Sequence, residues 1–308
     1  MAFRKTAKAL VQHPGIHAPE WVMYRQQLQR QGRMRQASTI NLAEQASEIL
    51  GERFDPSKYL LTHVTIVSSV DTEPVANVKL GSVEEGGRTV NRKFGDYHIT
   101  PATEQFINNN NDAFSRGVLL KSYRTFVGGH NWLEHVQLVE QSKGRLLDAV
   151  ARDIGPSVYV DLLVATHRKH AELIRKIESN ELTTLSMGCS CTQTGCTKCG
   201  NVAYDEVQLC DCIRYSKGNK YFDSMGQQRR IAELCGHESE DPTGGVNFIE
   251  ASWVEVPAFT GAVMRSIIEP AKLSPKSLKQ MQAVLESTPK EWAKDQPQKA
   301  AKQNPPLQ

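Results

Sequence analysis

The stretch VYVDLLVATHRKHAELIRKIESNELTTLSMG, residues 158–188, decides the fold. It opens with apolar and β-branched residues, a pattern that predicts a buried strand over residues 157–165. Its middle part repeats apolar residues at helical spacing. The apolar face of this predicted helix consists of Leu173, Ile174 and Ile177. Residues 182–188 return to a strand pattern, so the stretch predicts a strand–helix–strand unit that ends at Ser186.

Further strand patterns surround this unit. KYLLTHVTIVSSVD begins at Lys58, GRLLDAVA covers residues 144–151, and NFIEASWVEVPAF begins at Asn247. These runs are rich in residues that favour strands. We therefore expect an α+β body, mostly β, over residues 58–268, with a cysteine-rich insertion at about residues 189–240.

The two ends of the chain differ from this body. Residues 1–57 are polar and predict a helical extension, with candidate helices at 19–35 and 41–50. Residues 269–308 are basic and rich in Pro, Lys and Gln, a composition that predicts a disordered tail. The sequence thus divides into an extension, a body with an insertion, and a tail.

Composition and charge exclude several classes of protein. The chain is 39% hydrophobic and 23% charged, as expected of a soluble globular protein. No stretch approaches the roughly 18 apolar residues of a membrane helix, and the N-terminus lacks the apolar core of a signal peptide. The net charge is +6 over residues 1–40, +4 over 270–308 and about −7 between them. An acidic body argues against sequence-specific binding of nucleic acid, whereas the basic ends fit weak contacts with acidic partners.

All seven cysteines lie between residues 189 and 235. An odd number of cysteines in a chain without a secretion signal argues against a disulfide framework and favours metal binding. The pattern Cys-x2-Cys followed by Gly200 is typical of a zinc knuckle, and a second pair ten residues later would complete a tetrahedral site for Zn²⁺. The predicted ligands are Cys196, Cys199, Cys210 and Cys212. Four more candidates compete with them or form a second site, namely Cys189, Cys191, Cys235 and His237. We expect a structural role for the zinc, because the insertion is too small to bury much of a core.

Three residue types needed for serine hydrolysis also occur. Ser186 ends a predicted strand, and Glu250 lies in an apolar strand, where a buried carboxylate needs a partner. FVGGHNWLEHVQ supplies two histidines, His130 and His135. A serine nucleophile needs a base within hydrogen-bond reach, and that base needs an acceptor to orient it. The residue types alone also fit purely structural roles. The serine could cap a turn, the histidine could be an ordinary hydrogen-bonded residue, and the glutamate could lie at the edge of a strand.

The order of these segments resembles that of the tailed-bacteriophage prohead (capsid maturation) serine proteases, which are similar in fold to the herpesvirus assemblin. Three pieces carry the resemblance: FVGGHNW followed by GRLLDA, the strand–helix–LSMG unit, and IEASWVEVPAF followed by TGAVMR. The spacing of a little over fifty residues between His130 and Ser186 also fits. The resemblance covers residues 118–268, and it depends on the order and spacing of the pieces rather than on any single motif.

This resemblance implies an assemblin-like fold, a mostly antiparallel β-barrel core flanked by helices, to which the zinc-binding insertion and the polar extensions are added. It implies Ser186 as the nucleophile, His130 as the general base and Glu250 as the orienting acid. His130 is preferred to His135 because the His130–Asn131 pair follows the family pattern. The cysteine insertion departs from the simplest members of the family.

The resemblance also implies a biological role. The chain would be an endopeptidase that processes the phage scaffold or core protein and the major capsid protein. It would act inside the assembling prohead in the host cytoplasm, would cleave itself and would act as a homodimer. The alternatives are a non-enzymatic, zinc-stapled structural protein of the capsid core and a zinc-ribbon protein that binds nucleic acid.

Overall fold

The computed structural model describes residues 19–31, 42–74, 79–85, 88–94, 97–223 and 225–268. The predicted tail and the first part of the N-terminal extension lie outside these ranges. The α-helices are α1 (Pro19–Arg30), α2 (Leu42–Leu50), α3 (Arg116–Ser122), α4 (Ala171–Glu178) and α5 (Asp211–Ser216). Short 3-10 helices cover Pro56–Lys58, Glu104–Phe106, Tyr123–Phe126, Val139–Gln141 and Glu206–Gln208.

The strands fall into one large sheet and several small ones. In chain order they are β1 (Tyr59–Ser68), β2 (Thr72–Pro74), β3 (Lys79–Glu85), β4 (Arg88–Phe94), β5 (Tyr97–Ile99), β6 (Asp112–Ala113), β7 (His130–Leu133), β8 (Gly144–Ile154), β9 (Ser157–His167), β10 (Leu185–Cys191), β11 (Thr194–Cys196), β12 (Val202–Ala203), β13 (Lys220–Phe222), β14 (Gln228–Arg230), β15 (Glu233–Cys235), β16 (Val246–Trp253) and β17 (Val263–Ile268).

The large sheet has seven strands in the order β10-β16-β7-β8-β9-β1-β17. All neighbours are antiparallel except β7 and β16, which are parallel. The β8–β9 hairpin turns at Gly155 and Pro156, and Gly155 has the positive φ of 59° that a tight turn of this kind needs. Every residue of β1 is buried, as its continuous apolar pattern predicts.

Helices cover both faces of this sheet. On one face α3 and α4 pack over a core in which Phe126 and Phe248 stack with ring centroids 4.1 Å apart. The predicted apolar face of α4 is the buried one. On the other face α1 and α2 bury Trp21, Leu28 and Ala46 against β1, β8 and β9. Both faces are therefore apolar, which explains the continuous apolar runs of the central strands.

The insertion between β10 and β16 forms small sheets, one of which also includes β6 from an earlier part of the chain. A four-stranded sheet has the order β12-β11-β15-β6, and β13 pairs with β14. Among the described residues, the buried core around the insertion's cysteines comprises Cys196, Ile213 and Ile231. Two further hairpin-like pairs, β2 with β5 and β3 with β4, precede the large sheet's middle strands along the chain.

The α+β class and the mostly antiparallel pairing are confirmed, whereas the predicted closed barrel is not formed by the described strands. The two edge strands, β10 and β17, meet at a single bridge between Thr184 and Val263. The Met264 amide also donates to the Thr183 carbonyl at 2.7 Å. The bridge is antiparallel and lies at the start of each strand, so β10 and β17 run away from each other and form no closing ladder. In the described part of the chain, no helix is long and apolar enough to cross a membrane.

Candidate functional site

The register of β10 and β16 brings the predicted serine and acid to one face of the sheet. Ser186 pairs with Ser252, and Gly188 pairs with Glu250. Directly paired residues of a ladder share a face, and so do residues two apart along one strand. The hydroxyl of Ser186 and the carboxylate of Glu250 therefore lie diagonally across two adjacent strands on the same face.

Glu250 is fully buried and has three side-chain partners. Its Oε1 lies 2.6 Å from Nδ1 of His135 and accepts a longer bond of 3.4 Å from Nε2 of Gln137. Its Oε2 accepts a hydrogen bond from the hydroxyl of Ser252. A carboxylate inside an apolar strand thus has the partners that its burial demands.

His135 follows directly after β7 in a left-handed turn. Glu134 and His135 have φ values of 50° and 56°, which residues with a Cβ rarely adopt. Two hydrogen bonds hold this turn: the Glu134 amide donates to the Trp253 carbonyl, and the Glu255 amide donates to the Glu134 carboxylate, both at 2.9 Å. Backbone strain of this kind is common at functional sites. Here it turns the imidazole of His135 toward the buried acid.

The contact with Glu250 also sets the protonation of His135. The hydrogen bond to Glu250 raises the pKa of His135, and burial opposes this shift. Because a carboxylate can only accept, Nδ1 carries the hydrogen and Nε2 is the proton acceptor of the neutral ring. This is the tautomer that a histidine base requires.

His130, the base favoured by the sequence, has different surroundings. It pairs with Glu250 in the parallel ladder of β7 and β16, so the two residues are neighbours. Its ring stacks on Trp132 at a centroid distance of 4.8 Å, and its buried Nδ1 makes no hydrogen bond among the described residues. Burial, with the nearby charge of Arg145, lowers the pKa of His130. Glu250 thus forms its hydrogen bond with His135, whereas His130 is only its neighbour in the ladder.

Asn131 explains how β7 is held in place. Its side chain donates to the Ala251 carbonyl at 2.7 Å and accepts from the Thr166 hydroxyl at 3.1 Å. These bonds tie β7 to β16 on one side and to β9 on the other. They fix β7, which carries His130 and leads into the turn that carries His135.

Ser186 is only 5% exposed, and its hydroxyl makes no hydrogen bond among the described residues. Catalytic hydrogen bonds often tighten only when substrate binds. Gly188 keeps the space beside Glu250 open, because a Cβ at this position would lie 2.8 Å from Oε1 of Glu250 and 3.2 Å from Nε2 of Gln137. The glycine of the Ser-Met-Gly sequence therefore accommodates the acid.

An open groove lies beside α4, and none of Ser186, His130, His135 and Glu250 lines it. It has a volume of about 530 Å³ and begins at Leu133 and Glu134, immediately before His135. Its other walls come from α4, from the turn before β10 and from Glu255. The groove combines aliphatic side chains with lysines and glutamates.

The four predicted metal ligands form a separate cluster. The sulfurs of Cys196, Cys199, Cys210 and Cys212 all lie within 4.8 Å of one another. A tetrahedral Zn²⁺ with Zn–S bonds of about 2.3 Å needs sulfurs roughly 4 Å apart, so the separations in this quartet are compatible with a metal ion of this kind. Four thiolates in a tetrahedral arrangement suit zinc or an iron–sulfur centre.

Local backbone structure forms this quartet. Cys196 ends β11, and the chain turns at Gly200, whose φ of 68° agrees with the predicted knuckle. The Lys198 amide donates to Sγ of Cys196 at 3.4 Å. Cys210 lies directly before α5, and Cys212 lies in its first turn. A turn and a helix start thus each present two sulfurs to one point.

The remaining candidates lie elsewhere. Cys189 and Cys191 belong to β10 of the large sheet, and Cys235 ends β15. Cys191 is exposed, whereas Cys235 is buried. His237 lies two residues after Cys235, and its backbone carbonyl accepts a hydrogen bond of 2.8 Å from Nε2 of Gln193.

Two partners of Glu250 were missed at the sequence level. Ser252 could have been found, because residues two apart in a strand share a face. Gln137 carries no such signal, since it reaches Glu250 only through the turn at residues 134–135.

No protein-family model matches the chain, and neither curated proteins nor solved structures give a significant match.

Proposed function

We propose that the chain is a serine endopeptidase with Ser186 as its nucleophile. The supporting observation is the hydrogen bond between buried Glu250 and His135, one strand away from Ser186 on the same face of the sheet. A serine, a histidine of defined tautomer and a buried acid are the three parts that acyl transfer requires.

The mechanism follows from these roles. The Ser186 hydroxyl attacks the peptide carbonyl while a histidine nitrogen takes its proton. The resulting imidazolium is stabilised by the Glu250 carboxylate, and it then protonates the departing amine. Water, deprotonated by the same histidine, attacks the acyl-serine and releases the second product. Glu250 remains a carboxylate throughout.

The contact with Glu250 favours His135 as the base. Its Nδ1 is occupied by the carboxylate, which leaves Nε2 for the serine proton. His130 is the alternative that the family resemblance suggests, and it pairs with Glu250 in the ladder of β7 and β16. Separate His130→Gln and His135→Gln variants distinguish the two, since only the loss of the true base removes nearly all activity.

The proposed substrates come from the resemblance to prohead proteases. They are the phage scaffold or core protein, the major capsid protein and the chain itself, cleaved inside the assembling prohead in the host cytoplasm. The proposed enzyme acts as a homodimer.

The quartet is proposed to hold one structural Zn²⁺. All four positions are cysteines, which leaves no place for water or substrate on the ion. When bound, the zinc would supply folding energy to the insertion, whose own buried core is small. The quartet takes no part in the peptide-bond chemistry.

The experiment compares the full chain with Ser186→Ala and with Ser190→Ala, an exposed serine on the same strand. Intact mass over time reports self-cleavage, and a fluorophosphonate probe reports an activated serine by a covalent mass increase. We expect cleavage and labelling in the wild type and in Ser190→Ala. We expect a loss of about 10³-fold or more in Ser186→Ala. Equal labelling of all three chains, with unchanged circular dichroism, would overturn the assignment of Ser186.

The second candidate is a zinc-stapled structural protein of the capsid core without catalysis. The observation that favours it is the Ser186 hydroxyl, which makes no hydrogen bond to a histidine among the described residues. In that case the folded wild type would show neither self-cleavage nor labelling by the probe.

A further inference from the structure

The groove beside α4 carries more acidic than basic side chains. Its charged lining consists of four glutamates and two lysines, namely Glu134, Glu172, Glu181, Glu255, Lys143 and Lys176. Two of the glutamates have basic partners: Oε1 of Glu172 lies 3.9 Å from Nζ of Lys176, and Oε1 of Glu181 lies 2.6 Å from Nη1 of Arg175. Among the described residues, no ion pair involves Glu134, Glu255 or Lys143. The unpaired charges of the lining are therefore two acids and one base.

Glu134 and Glu255 form an acidic end of this groove. Both residues are exposed, and the Glu255 amide donates to the Glu134 carboxylate at 2.9 Å, so the two residues are adjacent. Two neighbouring carboxylates repel each other, and a cationic group between them relieves this repulsion. The groove is also lined by Leu133, Leu173 and Leu182, against which the aliphatic part of a lysine or a leucine can pack. The lining thus favours a peptide that combines lysines with apolar residues.

The chain carries such a segment directly after β17. Residues 270–280 read PAKLSPKSLKQ and contain three lysines and no acid. Leu273 and Leu278 lie between or beside these lysines. The charge and the apolar content of the segment are therefore complementary to those of the groove.

β17 ends at the end of the sheet where the groove lies. Its last residue, Ile268, pairs with Leu61 of β1, and Leu61 pairs with Ala165 of β9. β9 leads directly to His170 and α4, which form one wall of the groove. Two strand spacings, about 10 Å, therefore separate Ile268 from β9. Ten residues of extended chain span up to about 33 Å, so residues 270–280 are long enough to reach the groove.

We propose that residues 270–280 dock in the groove beside α4 of the same chain, with their lysines at Glu134 and Glu255. A segment tethered so close to its site has an effective concentration in the millimolar range. Exposed ion pairs that would be too weak to hold a separate peptide are then sufficient. The docked segment would lie next to the turn that carries His135. The inference does not depend on the proposed protease activity, because it requires neither Ser186 nor a histidine base.

The first test uses a carbodiimide, which joins a lysine amine to a carboxylate in contact with it. The full chain is prepared as the wild type and as Ser186→Ala, in which self-cleavage cannot remove the segment, and intact mass is checked before coupling. We expect cross-links from Lys272, Lys276 or Lys279 to Glu134 or Glu255, and fewer of them at high salt.

Two controls make this result specific. An equal mixture of unlabelled and nitrogen-15-labelled protein distinguishes links within one chain from links between copies, and we expect links within one chain. Glu48 and Glu240 are exposed acids that do not line the groove. They should form several-fold fewer links to the same lysines.

The second test removes the acidic end while keeping its shape. Glutamine at position 134 still offers an oxygen to the Glu255 amide, so Glu134→Gln combined with Glu255→Gln removes charge alone. We expect trypsin to cleave within residues 270–280 about tenfold faster in this variant, because two exposed ion pairs no longer hold the segment. Glu48→Gln combined with Glu240→Gln should keep the wild-type rate, and circular dichroism verifies the fold of both variants.

Three results would overturn the proposal. Cross-links found only between labelled and unlabelled chains would show that the groove binds a second copy of the chain. Links spread evenly over the groove acids and the control acids would show that the segment has no defined site. An unchanged rate of trypsin cleavage in the double glutamine variant would show that Glu134 and Glu255 do not hold it.

Discussion

At the scale of single residues, Glu250 favours the protonated, positively charged form of His135. It is fully buried, and its hydrogen bond stabilises the protonated form of His135. The folded pKa of His135 is therefore higher than its unfolded value of about 6.5. The stabilisation from this pair is fully present below pH 6.5, and it is lost as the pH rises through the raised pKa.

The same shift predicts the pH dependence of activity. A base must be neutral, so the rate of probe labelling should rise with pH and reach half its maximum above pH 6.5 if His135 is the base. Glu250→Gln should move this midpoint down, because the hydrogen bond to a charged acceptor is lost. His130→Gln serves as the control and should leave the midpoint unchanged. A midpoint below 6.5 would identify His130 as the base instead, since burial lowers its pKa.

Gly188 gives a second prediction at this scale. A methyl group at Gly188 would lie 2.8 Å from Oε1 of Glu250, so Gly188→Ala should displace the carboxylate from His135. We expect a loss of about 1–3 kcal/mol in the free energy of unfolding, measured in urea, together with a loss of labelling. The control is Gly117→Ala, where a Cβ meets no atom within 4 Å. Wild-type labelling in Gly188→Ala would contradict the proposed role of this contact.

At the scale of elements, the cysteine insertion depends on its quartet. The turn after β11 and the start of α5 are separated along the chain, and the buried core between them is small. In such modules metal binding supplies most of the folding free energy, on the order of 10 kcal/mol. The insertion should therefore lose its structure when zinc is removed, while the large sheet has its own core.

Cys199→Ser tests this dependence. We expect about one zinc per chain in the wild type and almost none in the variant, because a site with three thiolates and a hydroxyl binds zinc far more weakly. Hydrogen exchange should become fast across residues 196–231 and stay slow in β8 and β9. Cys189→Ser, the same change outside the quartet, should keep both zinc and protection. Full protection of the insertion in metal-free protein would contradict a structural role for the ion.

Sequence patterns predicted some of these elements better than others. Local signals sufficed for the strands around β1, β8, β9 and β16, for the apolar face of α4 and for the Cys-x2-Cys turn. The parallel pairing of β7 with β16 depends on long-range contacts, among them those of Asn131, which no local pattern encodes. The contact of His135 with Glu250 depends on a left-handed turn at two residues that do not favour it. Both candidate histidines could therefore be identified from the sequence, but not which of them forms the hydrogen bond with Glu250.

At the scale of the whole molecule, the N-terminal extension is joined to the body through buried charges. Trp21 donates from its indole nitrogen to Asp148 at 2.8 Å, and Arg25 pairs with the same carboxylate. Tyr24 donates to Asp161, whose pKa burial alone would raise. His63 and Arg152 outweigh that effect and hold the Asp161 pKa well below its ordinary value. These contacts indicate that α1 is part of the folded body rather than a separate arm.

Because Asp161 has a lowered pKa, its contribution to stability is present above the unfolded value of about 4. It is lost only as the pH falls through the folded value. The contacts of α1 should therefore persist across the neutral range. Substitution of a buried residue of α1 tests the docking of this helix more directly than a change of pH, because a change of pH acts on the whole molecule.

Trp21→Ala removes a side chain of α1 that is only 1% exposed, and it leaves Asp148 without its indole donor. We expect the free energy of unfolding to fall by about 3–5 kcal/mol, with a single transition in urea shifted to lower denaturant. Gln27→Ala, an exposed position on the same helix, should leave the midpoint unchanged. If Trp21→Ala unfolded like the wild type, α1 would not be docked on the sheet. If instead α1 unfolded in a separate transition at lower urea, the helix would pack over the two buried aspartates without folding cooperatively with the sheet.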